Sequence, residues 1–137
     1  MNRRRGLPPG LGDSGAAAAE FALTIPALCL LLFGSIGLST MMSVTSALHF
    51  AVEKAARCAS INAALTGVTT CAGATAVQAY AATQYRGPAL TGLAFTLTAA
   101  TTANCGNAVV GAGTFVLRTG LASINVPISA RACYPTG

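Results

Sequence analysis

Residues 16–34 read AAAAEFALTIPALCLLLFG, and this stretch decides the architecture. It opens a segment, Phe21 to Val52, that holds no Asp, Glu, Lys or Arg. A helix from Phe21 to Val44 would be roughly 36 Å long at about 1.5 Å per residue, enough to cross a hydrocarbon core of about 30 Å. Pro26 sits early in the run, where it removes a backbone donor and is expected to loosen one turn. Before the run, residues 1–15 read MNRRRGLPPGLGDSG, which is basic, rich in Gly and Pro, and unsuited to a helix. Arg3, Arg4 and Arg5 put the N-terminus on the cytoplasmic side by the positive-inside rule, a bias reduced by Lys54 and Arg57 beyond the far end.

Composition narrows the function. The 137 residues suit one small domain. Only 8% are charged and 53% are apolar, which excludes an intrinsically disordered chain. A single long apolar run excludes a polytopic membrane protein. The net charge of +5 does not mark a nucleic-acid binder, because three of its eight basic residues are the N-terminal arginines and the others are scattered. The acidic residues are Asp13, Glu20 and Glu53, and the one histidine is His49. From Lys54 to the C-terminus the chain has no Asp, Glu or His, the groups that most often serve general acid–base chemistry, so an enzyme is not expected.

Glu20 stands out at the entrance to the apolar run. A carboxylate within lipid costs about 2.5–3.5 kcal/mol on insertion scales. One reading places it at the membrane interface in the first helical turn, where it complements the helix dipole. Another involves Gly15. Cleavage after Gly15 would make Ala16 the new N-terminus and Glu20 the fifth mature residue. Its carboxylate could then neutralise the new amine of a neighbouring subunit, a pairing that makes a charge tolerable in low dielectric.

A short basic leader ending in Gly15, a small residue at Ala16, Glu20 at mature position five, Phe21 next and a long apolar helix together resemble the class III leader of type IV-like prepilins. The Glu20–Phe21 pair is similar to the Glu-Tyr or Glu-Phe pair of the Tad (tight adherence, Flp) pilus system. GAAAAEFALTIPALCLLLFG resembles the start of TadE-like minor pilins, or pseudopilins, and ALHFAVEKAARCAS, residues 47–60, resembles their second half-helix. The likeness covers roughly residues 12–60. It implies cleavage of Gly15–Ala16 by a prepilin peptidase and a role for Glu20 and Phe21 in assembly. The implied partners are other Tad pilins, the inner-membrane assembly platform and membrane lipid. A secretory signal peptide and a twin-arginine signal fit less well, because the apolar run is still going at residue 30 and opens with an acidic residue.

From Ser46 to Leu65 Gly and Pro are absent and Ala is frequent, so the helix is expected to continue. Glu53 and Arg57 stand at i,i+4 and can pair. His49, near the outer interface, has no second ligand or base within helical reach. Small residues recur at every fourth position from Ser35 through Ser39, Ser43, Ala47, Ala51, Ala55 and Ala59 to Ala63. Such a stripe winds along an i±4 ridge and suits close packing, against other helices or against the chain's own outer domain.

Beyond residue 65 a small ectodomain is expected. Gly67 and Gly73 frame a loop. Residues 74–85 suit a short helix ended by Gly87-Pro88. Strand character follows at 93–98, at 108–118 with glycines that suggest a bulge or loop, and at 121–133, where Pro127 favours an edge. Thr119-Gly120 suits a hairpin turn. Cys29, inside the apolar run, reads as a small buried hydrophobe. Cys58, Cys71, Cys105 and Cys133 read as two disulfides, for which three connectivities exist. Cys105 and Cys133 are equidistant from residue 119, so an unbulged hairpin would set them face to face and leave Cys58 to Cys71. With no CxxC and no nearby His, neither a metal site nor a dithiol redox site is expected, and no cofactor is implied.

The expected fold class is α+β: a leader at 1–15, a membrane and assembly helix at 16–64, and a disulfide-stapled domain at 65–137 with a short helix and a three-stranded antiparallel sheet. The expected function is a minor pilin held in the cytoplasmic membrane, N-terminus inside and C-terminal domain outside, that passes to the pilus. The alternatives are an unprocessed membrane-anchored binding module and, less well fitting, a cleaved secreted protein.

Overall fold

A computed structural model describes residues 11–64, 70–99, 105–118 and 122–136. The element order is α1 (Leu11–Ala64), α2 (Ala74–Gln84), β1 (Thr91–Thr98), β2 (Asn107–Arg118) and β3 (Ser123–Tyr134). The fold is α+β, with one long helix, one short helix and a three-stranded antiparallel sheet in the order β1-β2-β3. The chain divides into two compact units, Met1–Ile36 and Gly37–Gly137.

The first unit is helical from Leu11, and Pro26 lies inside the helix. The start corrects the expectation of no helix in residues 1–15 for residues 11–15; residues 1–10 lie outside the described residues. Adding a residue to an existing helix is far easier than nucleating one, so the Ala16–Ala19 run carries the helix back through Gly15 and Gly12 at about 1 kcal/mol per glycine. Arg3, Arg4 and Arg5 lie outside the described residues, as do Gly67 and the Thr119-Gly120 turn.

In the second unit, α1 contributes Val44, Leu48, Ala51, Val52, Ala55, Ala56 and Ala59 to the core. This 4-3-1-3-1-3 spacing keeps to one helical face. The opposing residues are Phe95 on β1, Val109 on β2, Ile128 and Ala130 on β3, Val77 and Ala81 on α2, and Cys71. The small-residue stripe divides accordingly. Ala51, Ala55 and Ala59 are buried in this core, whereas Ser35, Ser39 and Ser43 are exposed.

One strand glycine makes the close approach possible. A Cβ on Gly111 would lie 2.8 Å from Cε1 of Phe95 and 3.0 Å from Cδ1 of Leu48, so these two large side chains occupy the space that a side chain there would fill. β2 is therefore unbroken. It pairs with β3 from Asn107↔Tyr134 to Arg118↔Ser123 without a shift. The irregularity expected at the glycines of 108–118 falls instead in β1, between Thr91 and Ala94, where Gly92 has φ 67°. Pro127 lies on the edge strand β3, where a missing donor is tolerated.

α2 starts at Gly73, φ 87°, whose carbonyl accepts from the Val77 amide at 3.2 Å. It stops at Tyr85, which turns extended while its amide donates to the Ala81 carbonyl at 3.1 Å. The Tyr85 hydroxyl donates to the Pro88 carbonyl at 2.5 Å, and burial pushes its ionisation above the usual tyrosine range.

Candidate assembly helix and processing site

Gly15 and Ala16 are consecutive helical residues, both exposed, and a Cβ on Gly15 would meet nothing within 4 Å. Glu20 and Phe21 follow just over one turn later on the same exposed helix, with Phe21 67% exposed. Because α1 begins at Leu11, Glu20 is not in the first turn of the described helix. The helix dipole acts over the first and last turns only, so it does not account for this carboxylate in the intact chain.

From Gly15 to Ile36 almost every side chain is exposed, and Cys29 is half-buried rather than buried. Leu23 is 79% exposed and Leu30 76%. Ala16 to Ile36 extends about 31 Å at about 1.5 Å per residue, which matches a hydrocarbon core of about 30 Å. The helix is long and apolar enough to cross a membrane, with a mean hydropathy of 2.2. Its hydroxyls are satisfied locally. Thr24 donates to the Phe21 carbonyl at 3.1 Å, Ser35 to Leu32 at 2.9 Å, and Thr45 to Met41 at 2.9 Å. Such back-bonding shields a polar group within an apolar surface.

The second unit begins its contacts early on the helix. A Cβ on Gly37 would lie 3.8 Å from Cδ1 of Leu117, and Val44 is fully buried. Val44, the far end of the Phe21–Val44 stretch read from composition, thus belongs to the core of the second unit.

Two disulfides fasten the second unit. Cys58 on α1 is bonded to Cys71, with Cα atoms 5.9 Å apart, and Cys105 to Cys133, with Cα atoms 6.0 Å apart. The hairpin that carries the second is not centred on residue 119. Cys133 stands opposite Ala108, and Cys105 lies outside the ladder. Gly106, φ 104°, turns the chain so that Cys105 reaches Cys133. A third tie is polar. The buried Ser60 hydroxyl donates to the Tyr134 carbonyl at 2.9 Å, joining the end of α1 to the end of β3.

Residues 15–57 match the family of TadE-like proteins. The match begins at Gly15, takes in Glu20 and Phe21, and runs along α1 to one residue before Cys58. The TadE-like segment thus contains the whole exposed apolar stretch and most of the helix face that packs on the sheet. α2, the sheet and both disulfides fall outside it. No curated protein and no solved structure matches the chain.

Sequence reasoning missed one group of residues. Glu53, Lys54 and Arg57 on α1 and Arg131 and Tyr134 on β3 line a cleft of about 420 Å³. No periodicity within one element could have joined α1 to β3. Among the described residues Glu53 and Arg57 form no ion pair, although their i,i+4 spacing allows one. Lys54 instead places its Nζ 5.3 Å from the centre of the Phe50 ring.

Proposed function

We propose that the chain is a minor pilin, or pseudopilin: a non-enzymatic structural subunit of a Tad (Flp-type) pilus. The observation that carries this reading is the position of the TadE-like segment. It starts at Gly15 and covers a helix whose large apolar side chains are exposed. Such a surface has to be covered by lipid or by other apolar helices, and a pilin uses both in succession. In this reading α1 anchors the precursor in the cytoplasmic membrane with residues 1–15 inside and the disulfide-bonded domain outside. A prepilin peptidase cuts Gly15–Ala16. Glu20 then neutralises the new amine of a neighbouring pilin as the helix leaves the membrane, with Phe21 beside it in the packing surface. Other Tad pilins and the assembly platform are the partners.

The test is an intact mass of the mature protein from its native host. Loss of residues 1–15 is expected. A full-length mass, allowing for removal of Met1, would refute processing and favour an unprocessed anchored module.

A further inference from the structure

The cleft between α1 and the last half of β3 carries Lys54, Arg57 and Arg131 against Glu53 alone. Lys54 is partly engaged by the Phe50 ring, so Arg57 and Arg131 are its freest charges, and both are exposed. One wall is an edge strand, since among the described residues β3 pairs only with β2. Pro127 spoils the part of that edge nearest the hairpin turn. The part from Ile128 to Ala132 has no proline, Arg131 and Ala132 line the cleft beside it, and at Tyr134 the edge carbonyl is already taken, by the Ser60 hydroxyl. An open strand edge beside a charged helix is the arrangement that accepts an extended chain by strand addition.

We infer that this cleft docks an extended acidic segment of a different protein, laid along the Ile128–Ala132 edge of β3 with its carboxylates on Arg57 and Arg131. The sequence argues against a second copy as the occupant. Beyond Lys54 the chain has no Asp or Glu, and Glu53 already sits in the same cleft. Two such domains repel rather than complement each other, so the acidic partner has another sequence. A lipid headgroup is disfavoured by distance. The ectodomain already meets the helix at Gly37, and Arg57 lies about 30 Å further along at about 1.5 Å per residue. Headgroup layers are only about 5–7 Å deep. The inference uses the pilin reading only to place the domain outside the membrane, and its test does not involve leader cleavage.

The full chain in an uncharged detergent is titrated against fluorescein-labelled hexaglutamate at low ionic strength, and binding is read by anisotropy. Arg57→Glu/Arg131→Glu is expected to weaken binding about tenfold or more, as loss and reversal of two exposed pairs allows. Arg57→Gln/Arg131→Gln, which keeps polar side chains of similar reach, is expected to fall between. Arg86→Glu, outside the cleft, is expected to bind as the parent does, and a backbone N-methylated hexaglutamate to bind markedly less. Three results would overturn the proposal: equal binding of the N-methylated peptide, equal loss in Arg86→Glu, or displacement by phosphatidylglycerol micelles but not phosphatidylcholine. The last would assign the cleft to lipid.

Discussion

Gly111 sets how closely α1 approaches the sheet. Leu48 is fully buried and Phe95 nearly so, and both lean into the space above this glycine. A side chain there would push against the ends of two flexible groups, so they can move, but only out of a packed core. Gly111→Val is therefore expected to destabilise the domain by about 1–3 kcal/mol, as overpacking does. Ala112→Val, one residue along on an exposed position of the same strand, should stay within about 0.5 kcal/mol. Chemical denaturation of both variants in a neutral detergent measures the difference. Equal midpoints for the two would show that Leu48 and Phe95 relocate without loss.

At the scale of elements, legibility followed the range of the interaction. α1 was readable because its signals are local: no charge from Phe21 to Val52, and small residues at every fourth position from Ser35 to Ala63. The edge position of β3 followed from Pro127 alone. The continuity of β2 was not readable, because Gly111 looks like a breaker until Leu48, far away in sequence, is seen to need its space. The hairpin register was hidden for a similar reason. It depends on how inward-facing residues meet the core, and counting from Thr119-Gly120 misplaces it, leaving Gly106 to turn Cys105 toward Cys133. The cleft of Arg57 and Arg131 needed the fold itself. The Cys58–Cys71 bridge, spanning 13 residues, ties α1 to the approach of α2. Its removal as Cys58→Ser/Cys71→Ser should lower stability by about 3 kcal/mol, the loop-closure value for that span. Denaturation of the double variant against the parent measures it, and a change under about 0.5 kcal/mol would mean that the core alone holds the helix to the sheet.

At the scale of the molecule, two kinds of surface lie along one chain. The second unit has a buried apolar core and two disulfides, whereas Gly15 to Ile36 leaves nearly all of its side chains exposed. The single carboxylate at the start of that stretch separates anchoring from assembly. For anchoring alone, Glu20 is a burden of about 2.5–3.5 kcal/mol if it enters lipid, so Glu20→Ala should insert at least as well as the parent. In the proposed pilin, its loss would leave the new amine of the adjoining subunit without a counter-charge in a low-dielectric contact, which costs about 3–5 kcal/mol when one member of a buried pair is removed. That is enough to exclude the variant from a polymer at ordinary subunit concentrations. Glu20→Ala is therefore expected in the membrane fraction at parental levels and absent from sheared pili, while Glu20→Asp, which keeps the charge on a shorter arm, recovers part of the incorporation. Measuring both fractions for both variants distinguishes the mechanisms. Full incorporation of Glu20→Ala would remove Glu20 from the assembly step and leave α1 as an anchor.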